Sequence, residues 1–382
     1  MRNATRPLYA AGFVTAFGAH SIAAGLGGYV GGHASLLTLG FLLALYDGAE
    51  VVLKPVFGSL ADRVGPRPVL LAGLVAFSLA SGAFVLAGDP AMVGLARLGQ
   101  GAAASAFSPA AGALVARLSP KTSHGRVFGG YGAWKSLGYT LGPLLGGVLT
   151  TLGGFSLLFG VLAGLALAVA GWAALAVPVV PPLPRTRQTV LDLVRRLRNP
   201  GFLRPTFTLA GTTAALAVGV GFLPVSGAAD GLGPVATGAT VSVLALCSAL
   251  AQPWAGHLRD TGRLKDRPGM AAGLGLTAGG MLLAALVPGI AGVLAAAVAL
   301  GAGIGLATPL AFAHLAAVTP PDRLGQTMGA AEVGRELGDS GGPLLVGAIA
   351  TAATLGAGFA GLAAVLVVAG IAVLARTTRP AP

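Results

Sequence analysis

An all-α integral membrane protein, with twelve transmembrane helices in two pseudo-symmetric six-helix bundles, is the architecture that this sequence predicts. Three observations carry it. Of the 382 residues, 55% are hydrophobic and 9% are charged, whereas a soluble domain carries about a quarter charged residues; a water-facing surface cannot be assembled from them. The apolar residues come in successive runs of about twenty, the length that crosses a bilayer core, and they fill the chain rather than one end, as a signal peptide's would. A phrase also recurs: Gly138-Tyr139-Thr140-Leu141-Gly142-Pro143-Leu144-Leu145-Gly146-Gly147 in the first half, and Gly338-Asp339-Ser340-Gly341-Gly342-Pro343-Leu344-Leu345-Val346-Gly347 in the second.

Apolar runs bounded by turn signals place helices at 8–30, 37–60, 67–87, 91–116, 126–149, 154–177, 203–226, 234–257, 269–288, 291–315, 325–349 and 354–375. The charges orient them. With a cytoplasmic N-terminus, Arg2, Arg6, Arg63, Arg67, Arg117, Lys121, Arg126, Arg259, Arg263, Lys265, Arg267, Arg323, Arg376 and Arg379 all fall on the cytoplasmic side. The opposite connections are short and carry only Asp89 and Asp230, so the positive-inside rule holds throughout and both termini are cytoplasmic. That distribution accounts for the net charge of +12 without nucleic acid, whose recognition needs a basic face on a folded domain.

The first bundle is expected at 1–177 and the second at 203–382, joined by a Pro-rich basic linker at 178–202 that holds Arg185, Arg187, Arg195, Arg196 and Arg198. Its stretch from Gln188 to Arg198 reads as a short amphipathic helix on an anionic inner leaflet. The 62 glycines suit a membrane bundle, where small residues let helix backbones approach closely. The single cysteine, Cys247, excludes an internal disulfide and any Cys-based metal site.

The halves echo each other a second time, in Gly58-Ser59-Leu60-Ala61-Asp62-Arg63 after the second helix and Gly256-His257-Leu258-Arg259-Asp260 after the eighth. A duplicated six-helix unit is the plan of many secondary transporters, which place the substrate between repeats and rock them around it.

Three segments then carry a family resemblance. Gly58 to Asp62, Arg63, Gly65 and Arg67 form a segment that resembles the signature loop between helices two and three of the major facilitator superfamily, with Pro66 where the family pattern has a basic residue. Arg97-Leu98-Gly99-Gln100-Gly101 resembles the fourth-helix motif of its proton-coupled members. Gly129, Gly138, Gly142, Pro143, Gly146 and Gly147 resemble the fifth-helix motif of its twelve-helix drug:proton antiporters. The resemblance implies alternating access in a bacterial-type cytoplasmic (inner) membrane, with Asp62, Arg63 and Arg67 as gating residues. It also implies proton-coupled efflux of a small hydrophobic or amphipathic compound.

Buried charge sets this chain apart. Asp47, Glu50 and Lys54 share one face of the second helix by their spacing, as Glu332, Arg335, Glu336 and Asp339 do on the eleventh. In the family's fold these two helices face each other, so the stripes could pair in one state and separate in another. Lys135 adds an unpaired cation. The five carboxylates Asp47, Glu50, Glu332, Glu336 and Asp339 exceed the four cations Lys54, Arg97, Lys135 and Arg335 by one, so one carboxylate is expected to hold a proton at rest. Asp47 and Glu336 lead the candidates, Asp339 follows, and a static salt-bridge network is the competing reading. His20, within the first helix, is a candidate for titration or substrate contact.

A specific carrier or facilitator for a metal ion, an inorganic anion or a metabolite is the alternative function. No cofactor or resident metal is expected, and the working state is expected to be a monomer in lipid with a small-molecule substrate. No phosphate loop or zinc-protease motif is present, which speaks against ATP-driven export by this chain and against a zinc-dependent enzyme.

Overall fold

The computed structural model describes residues 2–29, 36–86, 90–182, 199–231 and 234–375. The expected amphipathic helix at Gln188 to Arg198, with Asp89, Arg376 and Arg379, lies outside them. All regular structure among the described residues is helical. The helices are α1 (Arg2–Tyr29), α2 (Leu36–Val64), α3 (Pro66–Ala83) and α4 (Pro90–Arg117), with a 3₁₀ turn at Phe84–Leu86 after α3. The run His124–Ala176 is broken where Gly153 (φ −151°, ψ 22°) and Gly154 (φ 67°, ψ −173°) leave helical geometry, giving α5 (124–152) and α6 (155–176). Then come α7 (Pro200–Ala229), α8 (Pro234–Asp260), α9 (Asp266–Leu286), α10 (Gly289–Val318), α11 (Leu324–Ala352) and α12 (Leu355–Leu374). The positive φ of Gly154, paired with an extended ψ, is the one place in that run where only glycine turns the chain without strain.

The helices overrun the predicted spans chiefly at their basic ends, because hydrophobicity stops at the membrane while the backbone ladder does not. The correction that bears most on the site concerns α2. Asp62 and Arg63 belong to its last turn rather than to a loop, and the link to α3 is Gly65 alone, at φ 97°. Pro66 opens α3 at the first helical position, where its missing N–H is no loss and its fixed φ suits the helix. Prolines inside α1, α2, α4, α7, α8, α10 and α11 do not end those helices, a tolerance typical of membrane helices, where neighbours re-satisfy the freed carbonyls.

Two compact units are present. The first comprises Met1–Pro120, Gly130–Arg185 and Thr319–Val333. There α5 lies on α1 through Gly138, Gly142 and Gly146, one turn apart, where an added Cβ would press on the backbone between Phe13 and Ser21. Phe17, Ile22, Phe84, Leu158 and Phe159 fill the core beside that contact. The second unit comprises Lys121–Gly129, Thr186–Val318 and Gly334–Pro382. Its α11 lies on α7 by the same device, with Gly334, Gly338 and Gly342 against Thr206, Ala210 and Ala214.

Seven segments among the described residues are long and apolar enough to cross a membrane. The helices bearing the charged stripes, α2 and α11, are not among them. Many large apolar side chains point outward, including Leu79, Leu95, Leu152, Leu175 and Leu344, as lipid contact requires.

Candidate functional site

The first unit gathers four charged side chains into a buried cluster. Lys54 Nζ on α2 lies 2.9 Å from Glu50 Oε2 one turn earlier and 3.6 Å from Glu332 Oε2 on α11. Lys135 Nζ on α5 donates to the same Glu332 oxygen at 3.0 Å. None of the four side chains is more than 5% exposed. Lys135, expected to stand alone, is therefore paired, and Glu332 serves two ammonium groups. Charges this deep persist only when paired and hydrogen-bonded. Helix periodicity puts Glu50 and Lys54 together; nothing in the sequence pattern joins Lys135 to Glu332, 197 residues away.

Arg97 on α4 is among the largest fully buried side chains of the described residues. Its guanidinium sits 4.5 Å from the ring centroid of Tyr46 on α2 and donates to Gln100 Oε1 at 3.3 Å. Gln100 in turn donates to Ser81 Oγ on α3 at 3.0 Å. Arg97 also lies in the attractive fields of Asp47 and Glu50. The motif Arg97 to Gln100 thus ties α4 to α2 and α3, with Tyr46 and Ser81 as partners that spacing alone does not reveal.

Two carboxylates end α2 and α8 in the same way. Asp62 accepts the backbone N–H of Gly325 at 2.8 Å and of Gln326 at 2.9 Å, the first turn of α11. Asp260 accepts Gly125 N–H at 2.9 Å and Arg126 N–H at 2.8 Å, the first turn of α5. Each carboxylate supplies acceptors to orphan helix donors and negative charge to the positive end of a helix dipole. Close glycine contacts accompany each pair, Gly58 with Gly325 and Gly256 with Gly125.

Of the other expected gating residues, Arg67 donates to the Ala174 carbonyl at the end of α6 at 2.6 Å, and Arg63 is exposed. The cation whose field reaches Asp62 is Arg117, which also donates to Pro181 O at 2.8 Å. Sequence reasoning counted Arg117 only as a topology marker. Near Asp260, Arg259 and His314 converge on Asp266 at 2.8 and 2.9 Å.

The charge stripe of α11 is divided. Arg335, in the second unit, is buried, donates to Thr213 Oγ1 at 3.3 Å and lies 5.8 Å from the Phe312 ring. Glu336 and Asp339 are half-buried in the same unit. Asp47, Glu50 and Glu332 therefore balance Lys54, Arg97 and Lys135 in the first unit, while Glu336 and Asp339 outnumber Arg335 in the second. His20 holds the Ala16 carbonyl through Nδ1 at 3.1 Å and meets the Tyr139 ring edge-on at 4.5 Å. A Cβ added at Gly147 would meet nothing within 4 Å, and the side chain of Pro143 lies outside the described ones. Among the described residues no group of three or more His, Cys, Asp or Glu is placed to hold a metal ion.

Comparison with known proteins places this geometry in context. The family model of the Major Facilitator Superfamily matches residues 8–232 and 207–382. The quinolone resistance protein NorA of Staphylococcus aureus is 30% identical over 111 residues, 29% of each chain. A triacylglyceride transporter of Mycolicibacterium smegmatis is 35% identical over 102 residues, 27% of this chain and 18% of that one. The matches thus span under a third of these relatives' lengths. Among solved structures, the human organic anion transporter MFSD10 superposes with a TM-score of 0.83 at 17% identity, covering 97% of this chain and 99% of that one. The fucose:proton symporter FucP of E. coli gives 0.79 at 13%, covering 97% of each.

Proposed function

Since the chain belongs to the Major Facilitator Superfamily, and is accordingly a multi-pass membrane protein of a transporter family, we propose that it is a secondary active transporter working by alternating access. Its cargo is a small hydrophobic or amphipathic compound, expelled in exchange for protons. The halves 1–177 and 203–382 move as bodies about the linker 178–202, in a bacterial-type cytoplasmic membrane with both termini inside, and a monomer suffices.

The observation that carries the coupling is the partition of buried charge. Three carboxylates meet three cations in the first unit, so the excess negative charge falls to Glu336 and Asp339 on α11. A surplus carboxylate inside a membrane helix is costly as an ion and is relieved by a proton. Glu336 is therefore the first proton carrier, with Asp339 and Asp47 after it, and the Glu50–Lys54–Glu332–Lys135 cluster is the charged joint among α2, α5 and α11. Asp62 and Asp260 are the latches that release α11 and α5 when the transporter changes state. The partial likeness to a quinolone resistance protein supports the efflux direction.

A second reading, carriage of an inorganic or organic anion, is favoured by the convergence of Lys54 and Lys135 on one oxygen of Glu332. An anionic solute could take that oxygen's place between the two ammonium groups.

Proteoliposomes with an imposed pH gradient separate these readings, challenged with cationic dyes, quinolones, metal ions and organic anions. Proton release that depends on a dye or quinolone, and is abolished by Glu336→Gln or Asp47→Asn, supports antiport. Flux of an anion that persists without a gradient and ignores both substitutions replaces it with the second reading.

A further inference from the structure

The segment that leaves α6 is fastened to the corner between α2 and α3, and one arginine serves both that segment and Asp62. Residues Val177 to Pro182 follow α6 without regular structure. Pro178, Pro181 and Pro182 fix their own φ angles, so the segment is a stiff strap rather than a loose coil. Its carbonyls carry the attachment. Pro181 O accepts Arg117 Nη2 at 2.8 Å. Val180 O lies against Gly65, where an added Cβ would come within 3.2 Å of it. Arg67 holds Ala174 O at the end of α6, just before the strap. Val177, at the root of the strap, is 2% exposed.

Arg117 ends α4 with its guanidinium only partly committed. Nη2 holds the strap, while Nη1 is buried and has no acceptor among the described residues, a costly condition for a charged donor. The group acts on Asp62 through its field, with no hydrogen bond between them. Each Asp62 oxygen instead accepts one backbone N–H of α11.

Opening the latch removes both donors at once and leaves a buried carboxylate without them. The charge of Asp322 repels it further, and Arg117 is the cation whose field already reaches it. Arg117 can bond Asp62 only by turning toward it and away from Pro181. Pro181 is exposed, so its carbonyl passes to water at little cost.

We propose that Arg117 is a positioning residue that trades partners: with the Asp62 latch closed it pins the strap, and with the latch open it pairs with Asp62 and lets the strap go. The inference rests on the reading of Asp62 as a latch. Once freed, Val177 to Pro182 lengthen the tether between the halves by up to about 18 Å, at ~3.1 Å per residue for a proline-rich chain. They do so in the state in which α2 and α11 part.

The test uses the full-length Cys247→Ser protein in detergent with one new cysteine, Val177→Cys to report the strap or Gln326→Cys to report the latch. The rate of reaction with a polar maleimide is measured. Arg117→Gln should speed Val177→Cys about tenfold, the loss of one charged hydrogen bond, and leave Gln326→Cys slow, because Asp62 keeps its backbone partners. Gly58→Val, whose side chain would strike the Gly325 carbonyl and part α2 from α11, should speed both. Adding Asp62→Asn to Gly58→Val keeps the latch open but removes the charge that recruits Arg117, so Val177→Cys should return to its slow rate; a merely loosened fold would leave it fast. Arg63→Gln, at an exposed arginine of the same turn, should move neither.

Three outcomes overturn the exchange and leave the latch standing. They are equal rates at Val177→Cys with and without Arg117→Gln, a slow Val177→Cys in Gly58→Val while Gln326→Cys is fast, and a fast Val177→Cys in the variant that combines Gly58→Val with Asp62→Asn. Acceleration of both cysteines alike by Arg117→Gln also overturns it, since strap and latch would then be one contact. An unmoved Gln326→Cys in Gly58→Val overturns the latch itself, and the exchange with it.

Discussion

The Asp62 carboxylate receives the backbone N–H of Gly325 at 2.8 Å, so the last turn of α2 caps the first turn of α11. The bond is made to main chain, not to a side chain, and the approach it needs is secured by Gly58, whose added Cβ would strike the Gly325 carbonyl. Asp260 repeats the arrangement on α5.

Asp62→Asn keeps one acceptor and turns an NH₂ toward the other backbone N–H. The expected loss is about 1.5–3 kcal/mol, the range for a hydrogen bond to a charged group. In a Cys247→Ser background, a cysteine at Gln326 should react with a polar thiol reagent about tenfold faster when Asp62 is Asn, for a shift of ~1.4 kcal/mol. Equal rates would mean that the cap does not hold α11.

Lys135→Met strands one carboxylate charge in the cluster and should lower stability by about 3–5 kcal/mol, the cost of breaking a buried pair. Adding Glu332→Gln restores the charge count and should recover more than half of that loss. Thermal unfolding of the single and double variants in one detergent measures the coupling, and additive losses would dissolve the cluster as a unit.

Arg97→Lys keeps the charge and discards the planar fork that both stacks on Tyr46 and reaches Gln100. Transport in proteoliposomes should fall about tenfold, an effect of ~1.4 kcal/mol. A lysine variant with wild-type flux would reduce Arg97 to a point charge.

The glycines resembling the antiporter motif should divide into two kinds. Gly142→Val drives a side chain into Phe17 and Ser21 of α1, an overpacking expected to cost about 1–3 kcal/mol. Gly147→Val meets open space and should leave the unfolding temperature unchanged. If both behave alike, close packing is not what the motif supplies.

Composition and the length of the apolar runs were sufficient for the helices, because hydrophobic length is a local property of the chain. Repeat matching was sufficient to pair Asp62 with Asp260, yet not to say what either does; a carboxylate's target on a distant backbone leaves no mark in its own segment. The same limit hid Lys135 behind an unpaired reading. It also hid Arg117, whose field on Asp62 depends on where α4 ends. Spacing on α11 treated Glu332 to Asp339 as one stripe. In the structure Glu332 bonds α2 and α5, and Arg335 bonds Thr213 on α7, because each turn of a long helix meets different neighbours.

Gly65 is the whole connection between α2 and α3. A joint one residue long has no slack: it can swivel about a single pair of dihedral angles but cannot stretch. A displacement of the basic end of α2, such as release of Asp62 would permit, is passed directly to the first turn of α3 and to Arg67, which grips the end of α6. On release of Asp62 the corner would act as a crank, turning the loss of two hydrogen bonds at one helix into motion of three.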